Sequence, residues 1–148
     1  MTGRSAGAPN VVLALFEIVH TARLADRAFS AVFAQHGMAA GQFGVLASVN
    51  DSPGITQAEV ARRLNVRAQT IARPAAALLD GGLITTDEDR CQGRPGRLHI
   101  TAAGQDLLDA AWPDVEALNN PAHLGLTHRE AEQLTHLLTA VREHLCDP

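Results

Sequence analysis

The sequence predicts a mainly α-helical fold with one small β-hairpin, on three observations. Apolar residues recur at helical spacing near both ends of the 148-residue chain. Two segments begin with polar residues at capping-box spacing, and two runs of β-forming residues flank a turn rich in glycine and proline. A hydrophobic content of 46% is sufficient for one packed core.

The N-terminal segment is predicted to form one long helix from Asn10 to Gln35. It contains no proline or glycine, and its apolar residues alternate between spacings of four and three. A second apolar stripe runs beside the first, so the apolar face is wider than one partner helix requires. We therefore expect this face to contact both its own domain and another subunit. A short helix from Gln42 to Val49 should follow it.

Residues 56–80 are predicted to form two short helices joined by a tight turn, which together make a helix-turn-helix. Thr56 and Glu59 have capping-box spacing and begin the first helix, which runs through Leu64. The second helix runs to Asp80 and ends at two glycines. Its expected buried residues are Val66, Ile71, Leu78 and Leu79.

The next segment is predicted to be a β-hairpin, or wing, with strands at residues 83–86 and 97–100 and a turn-rich tip at residues 92–96. Thr101 should cap the following helix, which contains Pro113, and a second capping box at Thr127 begins the last helix.

The predicted fold is thus mainly α with a small β-hairpin wing: a winged helix-turn-helix with N- and C-terminal helical dimerisation arms. We expect a flexible tail at residues 1–9, a helical dimerisation region at residues 10–36 and 102–148, and a winged helix-turn-helix DNA-binding domain at residues 37–101.

Charge is distributed unevenly along the chain. The net charge is −4, but residues 62–97 carry seven arginines and four acidic residues, a local charge of +3, which leaves −7 for the remainder. A basic module in an acidic frame is typical of a chain whose middle binds phosphate. A solvated charged face would have the same composition.

Several classes of function lack their sequence signatures. No apolar run approaches the roughly 20 residues of a membrane span, and no signal peptide is evident, so we expect a cytoplasmic protein without a membrane partner. Cys91 and Cys146 are too far apart in sequence for a zinc framework, and the histidines lack metal-ligand spacing. There is no phosphate-binding glycine loop and no nucleophile-and-base signature. We expect no enzymatic activity, no cofactor and no metal.

The second helix of a helix-turn-helix enters the major groove of DNA by its N-terminal residues. Arginine can bridge guanine O6 and N7, glutamine can bridge adenine N6 and N7, and alanine can meet a thymine methyl. In the wing, a glycine and a proline keep the backbone slim, so that Arg94 can enter the minor groove. Arg90 and Arg97 flank it and can contact phosphates or pair with nearby acids. The predicted DNA-contacting residues are Gln57, Arg67, Ala68, Gln69, Thr70, Arg73, Arg94 and Arg97.

These segments, in this order and spacing, resemble the MarR (multiple antibiotic resistance regulator) family of winged-helix repressors over nearly the whole chain. The resemblance implies a bacterial transcriptional regulator, a homodimer with interleaved terminal helices, whose two wings straddle a pseudo-palindromic operator in double-stranded DNA. It also implies release from DNA by a small aromatic or phenolic effector. The matching segments are Gln42-Phe43-Gly44-Val45-Leu46, Thr56-Gln57-Ala58-Glu59-Val60-Ala61, Gln69-Thr70-Ile71-Ala72-Arg73, Gly82-Leu83-Ile84 and residues 94–104.

Two features depart from the family pattern. Pro74 lies inside the recognition helix, where it removes a backbone hydrogen bond and should bend the helix, at a cost of roughly 3 kcal/mol without compensating packing. In the wing, the family's Asp-x-Arg becomes Asp89-Arg90, so that only Arg94 keeps the expected distance from Thr101.

An effector pocket is expected where the first helix, the second helix and the helix after the wing meet. Its candidate residues are Phe16, His20, Arg23, Phe43 and Trp112. The same residues could instead belong to the core, with His20 as a hydrogen-bonded core histidine.

A second function also stays open, since a winged helix can serve as a protein-interaction module without direct DNA binding.

Overall fold

Six helices and three short strands make up the described parts of the chain, which are residues 13–87 and 93–146 of a computed structural model. The predicted mainly α fold with a small wing is confirmed. The predicted tail at residues 1–9 lies outside the described residues. The elements are α1 (Ala14–Gln35), α2 (Ala40–Asp51), β1 (Ile55–Thr56), α3 (Gln57–Arg63), α4 (Ala68–Asp80), β2 (Ile84–Thr86), β3 (Arg97–Ile100), α5 (Ala102–Asn119) and α6 (His128–Cys146).

Two helices begin with the capping boxes that the sequence predicts. At α3, the Thr56 amide donates to Glu59 Oε2 at 2.8 Å, and Thr56 Oγ1 accepts from the Glu59 amide at 3.3 Å. At α6, Thr127 and Glu130 make the same pair of bonds at 2.8 and 3.3 Å. These hydrogen bonds to the charged carboxylates lower the pKa of both glutamates. Each box satisfies amides that the first helical turn leaves without partners.

The sheet is antiparallel with strand order β1-β3-β2. The predicted hairpin is the β2–β3 pair, in which Ile84 lies opposite Ile100. β1 was not predicted, and it pairs with the other side of β3 through Ile55 opposite Leu98. The central strand therefore connects the start of the helix-turn-helix to the wing.

The core is formed by α2, α3, α4 and α5, with contributions from the end of α1 and from the sheet. Val45, Val49, Ala75 and Leu78 have no exposed surface. The prediction that Val66 is buried is wrong, because this residue lies in the turn before α4 and is 40% exposed. Leu79 is only half-buried.

The start of α5 packs directly on the base of the wing. Thr101 caps the helix, since its Oγ1 accepts from the Gly104 amide at 3.1 Å, as predicted. A Cβ at Gly104 would lie 2.0 Å from the carbonyl oxygen of Leu83, a backbone atom that cannot move aside. Only glycine permits this close approach of helix and strand.

We expect Gly104→Ala to lower the free energy of unfolding by about 1–3 kcal/mol or more, because α5 must move away from the wing base. Urea denaturation followed by circular dichroism measures the change. Ala110→Ser, at an exposed position of the same helix, is the control and should change stability little. Equal stabilities of the two variants would contradict the packing argument.

Candidate nucleic-acid interface

The outer face of the first half of α4 carries polar side chains in solvent. Gln69, Thr70 and Arg73 are all exposed, and their spacing of three and four residues places them on one face of the helix. Ile71 points the opposite way and is 2% exposed. Burial of Ile71 therefore fixes which face of α4 is presented to solvent.

The other predicted DNA-contacting residues of the helix-turn-helix lie at the starts of α3 and α4. Arg67 is the N-cap of α4, with an extended backbone and an exposed side chain, and Ala68 begins the helix and is exposed. Asn65 makes the tight turn between α3 and α4 with a φ of +52°, a left-handed conformation that asparagine tolerates. Gln57 begins α3 and is half-buried.

Arg94 and Arg97, the wing arginines within the described residues, have different environments. Arg94 is exposed in the segment that leads into β3. The Arg97 guanidinium instead donates from Nη1 to the Gly54 carbonyl at 3.1 Å, next to β1. Arg97 thus helps to hold the turn before the helix-turn-helix onto the wing, a role that the sequence did not indicate because it depends on the pairing of β1 with β3.

Asp87 closes the base of the wing from the other strand. Its Oδ1 accepts the Arg97 amide at 2.7 Å, and its Oδ2 lies 3.6 Å from His99 Nε2. The hydrogen bond from the Arg97 amide, followed by His99, lowers the pKa of the Asp87 carboxyl. This carboxylate therefore pairs with the backbone and with a histidine of the opposite strand. The flanking residues Glu88, Asp89, Arg90, Cys91 and Gln92 lie outside the described part of the chain.

An open cavity of about 590 Å³ lies between α2, α3 and α5. Two of its walls are aromatic, since Phe43 and Trp112 stack with ring centroids 6.4 Å apart. Arg63 borders it and is held by the Asp51 carboxylate and by Ser52 Oγ at 3.1 Å. The lining residues are Phe43, Gly44, Ala47, Ser48, Asn50, Asp51, Arg63, Leu64, Leu108, Asp109 and Trp112.

The five candidate pocket residues are not brought together within one chain. Phe43 and Trp112 line the cavity, whereas Phe16, His20 and Arg23 lie on the exposed N-terminal half of α1 and do not. Phe16 is 65% exposed and packs against His20 with ring centroids 5.7 Å apart. His20 is therefore not a core histidine.

The terminal helices present large apolar surfaces to solvent. No residue of α6 is buried in the single chain. On α1, burial is confined to the C-terminal part, where Phe33 stacks on Phe43 at 4.3 Å. The exposed apolar residues of the two helices and their flanks include Leu13, Leu15, Phe16, Val19, Leu24, Leu134, Leu137, Leu138, Val141 and Leu145.

Comparison with known proteins finds a family model that matches part of the chain. The MarR family model matches residues 36–95, which include α2, the helix-turn-helix and the first strand of the wing. This part of the chain is similar to the MarR family.

Solved structures of MarR-type transcriptional regulators match almost the full length of the chain. The regulator SlyA is 28% identical with a TM-score of 0.79, over 90% of this chain and 94% of that one. A MarR family regulator from Listeria monocytogenes, solved with a 26mer DNA, is 27% identical with a TM-score of 0.79, over 95% of this chain and 91% of that one. Staphylococcus aureus MarR, solved with salicylate and kanamycin, has the same fold at 18% identity and a TM-score of 0.77, over 89% of each chain.

No curated protein sequence matches the chain. Among the described residues, no helix is both long and apolar enough to cross a membrane. The family-model match and the similar solved structures support a DNA-binding transcription regulator.

Proposed function

We propose that this chain is a MarR family regulator, a homodimeric repressor that reads a pseudo-palindromic operator and leaves it when a small aromatic or phenolic effector binds. The observation that carries the proposal is the exposed polar face of α4, oriented by the buried Ile71. The Listeria monocytogenes relative, whose structure holds a 26mer DNA, supports the same use of the fold.

In the DNA-reading step, α4 enters the major groove, which is about as wide as a helix with its side chains. Gln69 and Arg73 read base edges, with Thr70 between them on the same face. Arg67 and Ala68 approach from the start of the helix, and Gln57 begins the supporting α3.

The wing supplies a second contact from the same half-site. Arg94 is exposed and enters the minor groove, whose negative potential attracts a guanidinium. Arg97 contributes to DNA binding mainly by its hydrogen bond to the Gly54 carbonyl, which holds the wing in place. Its remaining N–H groups are available to contact a phosphate.

We expect Arg94→Ala to weaken binding to a selected operator duplex by more than about tenfold at fixed salt, since a minor-groove arginine is lost. The duplex is obtained by selection from a random pool with the wild-type protein, and affinity is measured by fluorescence anisotropy. Arg129→Ala removes the same charge from an exposed position on α6 and should bind as the wild type does.

An unchanged affinity of Arg94→Ala would reject the role of the wing. Wild-type affinity should fall steeply with salt, as phosphate neutralisation requires. A protein that binds no duplex at any salt concentration would instead support the protein-interaction function.

The proposed dimer rests on the apolar faces of α1 and α6. A 19-residue helix with no buried residue exposes an apolar stripe that water disfavours. A second copy related by a twofold axis would cover these faces, since identical patches on both subunits complement each other in such an interface. We propose that residues 10–36 and 102–148 form this dimerisation region and residues 37–101 the DNA-binding domain.

We expect Leu137→Asp, in the centre of the apolar stripe of α6, to shift the mass in sedimentation equilibrium from dimer toward monomer, because it buries a charge in the interface. His136→Asp introduces the same side chain on the opposite face of the helix and should remain dimeric. A monomeric wild type at micromolar concentration would reject the dimer itself.

The effector site is proposed at the cavity between α2, α3 and α5. Phe43 and Trp112 offer aromatic faces, and Trp112 is oriented by a bond of 2.9 Å from its Nε1 to Glu116. Asn50, Asp51 and Asp109 line the same cavity and can accept a hydrogen bond from a phenolic hydroxyl. The Staphylococcus aureus relative, solved with salicylate, supports an effector of this class.

We expect calorimetry to detect binding of phenol or salicylate to the wild type and to lose it in Ala47→Met, which fills the cavity. Phe16→Ala is the comparison, because Phe16 lies on α1 away from the cavity. Retained binding in Ala47→Met with loss in Phe16→Ala would place the site on the predicted surface of Phe16, His20 and Arg23 instead. Absence of binding in the wild type would reject both of these effectors.

A further inference from the structure

Pro74 divides α4 into two parts with different surroundings. Residues 68–73 carry the exposed side chains proposed to meet DNA and reach the core through Ile71, whereas Ala75 and Leu78 in the second part have no exposed surface. Proline has no N–H, so the Thr70 carbonyl receives no helical bond from residue 74, and the ring crowds that carbonyl. The backbone ladder therefore couples the two parts weakly at this point.

The Pro74 ring is half-buried, and it packs against the first turn of α2. A Cβ added to Gly41 would lie 3.1 Å from Pro74 Cγ and 3.7 Å from Pro74 Cβ. The shorter distance is tighter than ordinary van der Waals contact, so a side chain at position 41 would displace the proline ring. Gly41 lies inside a helix, where glycine is unfavourable by about 1 kcal/mol relative to alanine. Close approach to the ring is the physical reason for glycine here.

We propose that the contact between Gly41 and Pro74 sets the angle at which residues 68–73 project from the core, which makes Pro74 a positioning residue for DNA recognition. The inference rests on the proposed function, in which α4 reads the major groove. The contact with α2 supports α4 at Pro74, where α4 lacks one of its backbone hydrogen bonds. A shift of the ring by a few tenths of an ångström would tilt the first part of α4 relative to the second.

The test is a double-mutant cycle of Gly41→Ala, Pro74→Ala and the double variant. Each full-length protein is measured against a duplex selected from a random pool by the wild type and against a random-sequence duplex of equal length. We expect Gly41→Ala to weaken binding to the selected duplex by at least about fivefold, with random-duplex affinity within about twofold. In the Pro74→Ala background the same change should have little effect, since alanine lacks the Cγ that the new methyl would meet. The expected coupling is at least about threefold.

Ala110→Ser is the control. Ala110 is an exposed residue of α5 that does not line the proposed effector cavity. This variant should bind the selected duplex within about twofold of the wild type. Thermal unfolding of all variants compares their stability, and selection repeated with Pro74→Ala should return a different preferred sequence.

Additive effects of Gly41→Ala and Pro74→Ala, an equal loss of affinity for both duplexes, or an unchanged selected sequence would overturn the positioning role. If Gly41→Ala does not fold, the selection with Pro74→Ala decides alone. A wild type that selects no duplex rejects the proposed function, whereas a wild type that selects one and shows no coupling rejects only the inference about Gly41 and Pro74.

Discussion

The pairing of β3 with a strand on each of its sides holds the winged helix-turn-helix together. Leu98 lies opposite Ile55 of β1 on one side and Thr86 of β2 on the other, and its side chain is 1% exposed. β1 leads directly into the capping box of α3, and β3 leads directly into the cap of α5. One central strand thereby fixes where the helix-turn-helix begins, where the wing projects and where the C-terminal helices start.

The helical arms depend on different contacts from the rest of the chain. The C-terminal end of α1 is held by the Phe33–Phe43 stack and by a 2.8 Å bond between His36 and Asp114 of α5. Beyond these contacts α1 and α6 present apolar side chains to solvent, while the core of α2 and α4 is closed. The winged helix-turn-helix is therefore stabilised by contacts within the single chain. The arms have exposed apolar faces, which contact with another protein surface can stabilise.

Local chemistry explains which features could be predicted from the sequence. Both capping boxes and the strand at residues 97–100 were predicted correctly, because each depends on side chains within a few residues of one another. β1 was missed because its two residues carry no periodic pattern, and the structural role of Arg97 was missed because its partner, Gly54, is distant in sequence. The expected pocket residues on α1 and α2 were chosen from helical spacing, which cannot show that Phe16 and Phe43 lie apart within a single chain.

The two faces of α4 explain how a proline is tolerated in the middle of this helix. The acceptor that Pro74 leaves without its helical bond belongs to Thr70, which is exposed, so water can satisfy that carbonyl. Ile71 before the proline and Leu78 after it are both buried, and they fasten the helix to the core on either side of the break. These two core contacts anchor the helix on both sides of Pro74, and the contact of the proline ring with Gly41 supports it between them. Since none of the exposed residues at positions 68–70 and 73 contributes to that core, substitutions there can change the surface that we propose reads DNA without changing the packing that orients the helix.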